Sequence, residues 1–184
     1  KVGFDYLKKL GFSKLSEEYD VIQPLALGGI TYGASDLELT AAYAAIADGG
    51  QYRKPVFYTK VTDSKGNVLI DNTEYKATQV FKASTASLLT NVMEDVLEKG
   101  TGVAARLDNM HAAGKTGTTN EAKDLVFAGF TPYYTAAIWA TYDTHAEFPE
   151  SDREFHKRLW AKVMNEIHEG LADMDFETSA TVQE

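Results

Sequence analysis

Hydrophobic positions along this 184-residue chain recur at helical spacing in four segments. Phe4, Leu7 and Leu10 fall on one helical face and Gly11 follows, which predicts a short helix over residues 4–10 ended by glycine. Its abrupt start is expected to be a boundary inside a larger domain. A glycine-containing loop, Leu27-Gly28-Gly29-Ile30-Thr31-Tyr32-Gly33, leads into a second helix. There Ser35 and Glu38 have the spacing of a capping box, in which two side chains satisfy N–H groups that have no partner inside the helix. Leu37, Ala41, Tyr43 and Ala44 give this helix its apolar faces, and Asp48-Gly49-Gly50 ends it. Its many alanines imply close packing on another element. Over residues 84–98, Leu88, Leu89, Val92, Met93, Val96 and Leu97 recur as one buried stripe, stopped by Gly100-Thr101-Gly102. The last helix is predicted to begin at Ser151, with Glu154 completing a second capping box. Phe155, Leu159, Val163 and Ile167 mark its buried side, and Gly170 ends it.

Strand-like runs occupy residues 56–62 and 68–71, and Asp63-Ser64-Lys65-Gly66-Asn67 between them is a hairpin signal. Three more are expected at 111–119, 125–131 and 134–142, with Pro132 in the second turn. Their connections are too short for parallel crossovers, so they are read as successive antiparallel neighbours. No internal repeat is present. The predicted fold class is mixed α/β (α+β): an antiparallel sheet packed with helices, the terminal helix lying on the sheet, over residues 1–170. The acidic segment 171–184 is expected to be a disordered tail.

Composition narrows the function more than the fold. A hydrophobic share of 44% with 24% charged residues is that of a chain that buries a core rather than a disordered one. The formal charge of −9 argues against nucleic acid and against anionic membrane surfaces, both of which are held by Lys and Arg clusters. Cysteine is absent, which excludes disulfides, thiolate metal sites and a cysteine nucleophile while leaving the compartment open. His111, His145, His156 and His168 are scattered without ligand spacing, so neither a metal nor a cofactor is implied. No run approaches the roughly 20 apolar residues of a spanning helix, and the N-terminus lacks the apolar region of a signal peptide. Any anchor of a parent protein is expected outside these residues.

The informative stretch is Gly114-Lys115-Thr116-Gly117-Thr118-Thr119-Asn120. Gly-Lys-Thr invites a phosphate-loop reading, but that loop needs a glycine five residues earlier, where Asn109 stands. The preceding Arg106-Leu107-Asp108-Asn109-Met110 is also a poor parallel core strand. Read as a strand, the same residues alternate: Lys115, Gly117 and Thr119 share one face, Thr116 and Thr118 the other. Gly117 admits close approach by a ligand backbone. Lys115 offers a fixed positive charge that polarises a neighbouring hydroxyl or steers an anion. The threonines are short donors suited to a carboxylate, and free main-chain N–H groups suit an oxyanion. Such an edge strand is a site for peptide addition to a sheet. A Gly/Thr-rich strand with a solvated lysine is the plain alternative that the tripeptide alone leaves open.

Context adds a resemblance. Lys115-Thr116-Gly117 looks like the third motif of the penicillin-recognising serine transferases and hydrolases. The wider string Ala113 to Asn120, then Lys123-Asp124 and Phe127-Ala128-Gly129-Phe130-Thr131-Pro132, is similar to class A (bifunctional) penicillin-binding proteins. So are residues 27–38 with Ala42-Tyr43-Ala44 and Gly49-Gly50. Weaker matches are Val96-Leu97-Glu98-Lys99-Gly100-Thr101-Gly102 and Leu159-Trp160. The similarity runs from about Phe4 to about Met164. Val126 departs from it, standing where many relatives have Trp, and Thr141 stands where Gly is common.

The resemblance implies the C-terminal portion of a transpeptidase domain. In that family a serine attacks the D-Ala-D-Ala end of a peptidoglycan stem peptide, expels D-alanine and forms an acyl-enzyme. An amine from a neighbouring stem then completes a cross-link, whereas water would give carboxypeptidase activity; β-lactams acylate the same serine. Carried over, Lys115 and Thr118 are the catalytic residues: Lys115 aids proton transfer and the Thr118 N–H joins the oxyanion hole. Thr116, Gly117, Thr118 and Thr119 form the substrate-binding strand. The parent is expected to be a glycosyltransferase as well, acting at the extracytoplasmic face of the bacterial membrane.

None of the eight serines is followed by lysine three residues on, and no Ser-x-Asn occurs. The chain by itself is therefore expected to be inactive, its partner being the missing N-terminal part of the same domain. Separated from that part, it is expected to expose apolar surface and to self-associate. A non-catalytic binding or scaffold domain with the same sheet is the alternative.

Overall fold

A three-stranded sheet in the C-terminal half separates two helical layers in the computed structural model, which describes residues 1–74 and 76–179. The helices are α1 (Val2–Lys9), α2 (Asp36–Ala47), α3 (Ala83–Glu98) and α4 (Phe155–Ile167). The strands are β1 (Gln51–Arg53), β2 (Lys60–Thr62), β3 (Val68–Asp71), β4 (Ala77–Gln79), β5 (Ala113–Thr118), β6 (Asp124–Phe130) and β7 (Thr135–Thr141). The main sheet has the order β5-β6-β7, antiparallel throughout. Alternation decides what each face meets. Ala113 and Phe130 turn toward Met93 of α3 and Tyr43 and Ile46 of α2. Phe127, Ala136 and Ile138 turn the other way, onto Trp160, Ala161 and Met164 of α4.

Two glycines let α4 press close. A Cβ on Gly129 would lie 2.8 Å from Trp160 Cζ2, and one on Gly114 would lie 2.7 Å from Phe127 Cζ. With both absent, Trp160 meets Phe127 edge-on at 4.9 Å between ring centroids and donates Nε1–H to the Ala136 carbonyl at 3.0 Å.

The predicted box at the start of α2 is present. Glu38 accepts from the Ser35 N–H at 2.9 Å, and Ser35 Oγ accepts from the Glu38 N–H at 3.2 Å. Glu38 also accepts from the Ser13 N–H at 2.7 Å, pinning the segment after α1 to α2. Burial raises its pKa, but these hydrogen bonds outweigh that and hold it down at about 2. The hairpin β2–β3 forms around Asp63, which accepts from the Lys65 and Asn67 N–H groups. It starts only at Lys60, and the pairing of β1 with β4 has no counterpart in the expected strands.

Three expectations need correction. The second capping box does not form: Glu150–Asp152 is a 3-10 turn and α4 begins at Phe155 without a side-chain cap. Local competition explains this, since the Ser151 hydroxyl donates to Asp152 and Glu154 pairs with Lys157. The stripes are also rotated. In α3 the buried residues are Ala86, Thr90, Met93 and Leu97, whereas Leu88, Leu89 and Val92 face outward. In α4 they are His156, Lys157, Trp160, Ala161 and Met164, leaving Phe155, Leu159, Val163 and Ile167 exposed.

The third correction concerns the acidic tail. Residues 171–179 form an extended strap across the fold, and residues 180–184 lie outside those described. Ala172 accepts from the Tyr133 hydroxyl at 2.9 Å, Phe176 packs edge-on against Phe130, and the Ser179 N–H donates to Ser87 Oγ at 3.3 Å. Half-buried Phe176 interrupts the acidic run and supplies the packing that composition alone hides.

His111 fastens the strap to the segment before β5. Its N–H and Nδ1 meet Asp173 Oδ1 at 2.9 and 3.0 Å, its Nε2 lies 3.3 Å from Asp175, and Glu94 of α3 adds negative potential. The hydrogen bond with Asp173 holds the His111 pKa above 6.5, and the same contact lowers that of Asp173 below 3.8. The His111 contribution is thus complete below the unfolded value of 6.5 and lost as pH rises through the raised folded one. That of Asp173 is complete above 3.8 and lost as pH falls through the lowered one. Hydrogen exchange over residues 172–179, corrected for intrinsic rates, should therefore accelerate from about pH 6 to about pH 8. His111→Ala should abolish that dependence, and a strap equally protected at both pH values in the parent would contradict the linkage.

Candidate functional site

β5 is an edge strand, and its register states which groups face outward. The Thr119 N–H donates to the Asp124 carbonyl at 3.2 Å, and the pairs Lys115 with Ala128 and Gly117 with Val126 follow in step. In an antiparallel ladder the N–H and C=O of one residue point the same way and those of the next point oppositely. Lys115 and Gly117 therefore bond inward to β6, while the main-chain groups of Gly114, Thr116 and Thr118 face the open edge. Residues 115–119 are exposed or half-exposed, whereas Ala113 and Gly114 anchor the strand in the core.

The Lys115 ammonium folds back over this edge, donating to the Thr116 carbonyl at 2.9 Å and approaching Thr116 Oγ1 at 3.3 Å. Thr116 Oγ1 also lies 2.8 Å from Thr101 Oγ1, in the loop after α3. That loop is tied down by Lys157, a buried α4 lysine whose Nζ donates to the Thr101 carbonyl at 3.0 Å. A Cβ on Gly117 would meet only Val126, at 3.4 Å, an ordinary contact. The fold itself thus tolerates a side chain there; the glycine keeps the approach to the strand open. Lys115, Thr116, Gly117 and Thr118 lie together on one exposed strand, as the sequence predicts.

Thr119 behaves differently. Its hydroxyl donates to Asp124 Oδ2 at 2.9 Å and accepts from the Asp124 N–H at 2.9 Å, so it is turned to β6. Asp124 in turn accepts from the Trp139 indole N–H at 3.0 Å and meets His145 Nε2 at 3.3 Å. Burial opposes ionisation of Asp124, yet the bonds from Trp139, Thr119 and His145 overcome it and lower its pKa. Trp139 is the cross-strand partner of Val126, so the sheet face beside Gly117 carries its tryptophan on β7. Sequence reasoning assigned no role to Thr101, Trp139 or His145, and Asp124 entered it only within a matching string. The β6–β7 register is the signal that brings Asp124 and Trp139 together, because cross-strand neighbours are invisible until strands are aligned.

The tight connection from β5 to β6 supports this corner. Glu121 and Ala122 both have positive φ (60° and 47°), a conformation uncommon without glycine. Ala122 is buried with Leu125 and Phe148, and its carbonyl accepts from the Phe148 N–H at 3.0 Å.

Residues 3–168 match the family described as "Penicillin binding protein transpeptidase domain". The chain is 40% identical over 141 residues to penicillin-binding protein 4 of Bacillus subtilis (strain 168), covering 77% of this chain and 22% of that protein. It is 36% identical over 144 residues to penicillin-binding protein 1A of Clostridium perfringens (strain 13 / Type A), covering 78% and 20%. The chain thus spans about a fifth of the length of these relatives. Among solved structures, it resembles PonA1 of Mycobacterium tuberculosis in complex with penicillin V. The TM-score is 0.81 at 24% identity, covering 96% of this chain and 52% of that one. It also resembles the D,D-transpeptidase domain of a peptidoglycan glycosyltransferase from Eggerthella lenta. There the TM-score is 0.59 at 27% identity, covering 75% and 33%.

Proposed function

The chain belongs to the penicillin-binding protein transpeptidase family, and on that premise we propose that it forms the substrate-gripping wall of a serine D,D-transpeptidase. In the intact protein, a serine outside these residues attacks the penultimate carbonyl of a D-Ala-D-Ala stem peptide. The serine proton leaves through a base, D-alanine departs with a proton, and an ester remains. A stem-peptide amine then displaces the serine and forms the cross-link. Thr116 and Thr118 bind the terminal carboxylate, Lys115 lends charge for proton transfer and orientation, and the Thr118 N–H stabilises the oxyanion. A β-lactam, closed into the same shape, acylates the same serine. Thr119 contributes by its place on the strand. The parent works at the extracytoplasmic face of the membrane, and its glycosyltransferase activity resides elsewhere in it.

The observation that carries this reading is the edge of β5. There one ammonium, two hydroxyls and the outward amide of Thr118 converge beside a glycine that the packing does not require. The remaining part of the domain covers the apolar row Phe155, Leu159, Val163 and Ile167, all 40–47% exposed in this chain. A fluorescent penicillin tests the proposal. The intact protein should be labelled covalently and these 184 residues alone should not, since they hold no Ser-x-x-Lys. Stable labelling of the isolated chain would overturn the placement of the nucleophile outside it.

A second reading, a non-catalytic scaffold with the same sheet, draws on that missing nucleophile motif. A parent that has no upstream Ser-x-x-Lys and resists labelling would establish it instead.

A further inference from the structure

Resting on the reaction proposed above, we infer that Asp124 is a positioning residue that fixes the direction of the Thr118 amide toward the reacting carbonyl. Thr118 is the last residue of β5, where strands ordinarily fray. Beyond it the chain must turn at once through two residues of positive φ, a poor foundation for an amide that must aim within tenths of an ångström. Asp124 supplies the missing rigidity. Its carbonyl accepts the Thr119 N–H, its N–H donates to Thr119 Oγ1, and its carboxylate receives the Thr119 hydroxyl. Three hydrogen bonds thus close on the residue that immediately follows the oxyanion donor.

The carboxylate is itself held from two other directions. Trp139 of β7 donates to Oδ1 at 3.0 Å, and His145, beyond β7, approaches Oδ2 at 3.3 Å. An ionised carboxylate only accepts, so both partners present N–H and the clamp has a single arrangement. With Asp124 Oδ2 removed, the Thr119 hydroxyl loses its acceptor, and the end of β5 is free to rotate about residues 118 and 119. Asp124 does not reach the open edge; it acts through Thr119.

A purely structural strand tie would make the same contacts, and the rate of the acylation step separates the two roles. In the intact protein, Asp124→Ala should lower the rate constant for acylation by a fluorescent penicillin about tenfold to a hundredfold, because small misplacements of catalytic groups are that costly. The dissociation constant of the preceding non-covalent complex should change much less, since the amide acts on the developing oxyanion. Asp124→Asn keeps an acceptor for Trp139 and a polar partner for Thr119, and should recover most of the rate. Asp124→Ala acylating within about twofold of the parent would overturn the inference, even with a lowered melting temperature. Should Asp124→Ala fail to fold, Thr119→Val removes one exposed hydroxyl. Its rate should fall severalfold, and an unchanged rate would overturn the inference. Labelling of the parent but not of Lys115→Ala, with Asp124→Ala behaving as parent, defeats this role alone. An unlabelled parent defeats the proposed function and this role with it.

Discussion

Replacing Lys115 by alanine in the intact protein is expected to slow acylation by about 10²–10³-fold while leaving the fold in place. The expected loss is the roughly 3–4 kcal/mol that follows removal of a group stabilising developing charge in a preorganised site. The fold should survive because the side chain is exposed and its hydrogen bonds go only to its neighbour Thr116. Substitutions at such positions change stability by about 0.5 kcal/mol or less. Rapid-mixing kinetics with a fluorescent penicillin would read the rate, and thermal melting would read the fold. Arginine is not expected to restore activity: its planar, permanently charged fork lacks the compact ammonium that fits over the Thr116 carbonyl. Acylation by Lys115→Ala at the parental rate would remove the lysine from the chemistry.

Trp160→Ala is expected to cost about 3–5 kcal/mol, the range for deleting a buried large aromatic. Trp160 is 1% exposed, sits edge-on to Phe127, and satisfies the Ala136 carbonyl. Deletion would leave a cavity bounded by the sheet glycines, and neither Gly114 nor Gly129 has a side chain with which to fill it. The sheet that carries Lys115 would lose the packing on one of its faces, so urea unfolding should show a clear drop in midpoint and acylation should fall with it. Trp160→Phe should lie between, retaining ring contacts but losing the indole N–H. A midpoint shift equivalent to less than about 1 kcal/mol would mean that α4 contributes far less than its burial implies.

Much of the sheet was legible in the sequence because short connections leave antiparallel neighbours little choice. The Ser35–Glu38 box was legible because its two halves lie three residues apart in the chain. Helix faces were harder. Both α3 and α4 carry apolar residues on more than one side, and spacing alone cannot rank Leu88 and Val92 against Ala86 and Met93. The outcome rests on distant partners: α4 turns Trp160 inward because two glycines on other strands make room, and Lys157 because Thr101 offers a carbonyl. The strap was missed for a similar reason. An acidic run reads as solvated until His111, 62 residues from Asp173, supplies a hydrogen-bond partner.

The candidate site divides in the same manner. Lys115, Thr116, Gly117 and Thr118 are contiguous, so a strand reading suffices to place them together. Asp124, Trp139 and His145 join only through alignment of three chain segments and the turn beyond β7. Val126 had looked like a departure at a tryptophan position; its cross-strand partner is Trp139.

The four residues 120–123 also act as a phase-setter for the whole reactive margin. Side chains and amides swap sides at every step along a strand, so gaining or losing one residue there would invert all of them together. Thr118 would then spend its amide on β6, and the ammonium would be driven into the layer occupied by Phe127 and Trp160. A change of length in this short bend is therefore not tolerable.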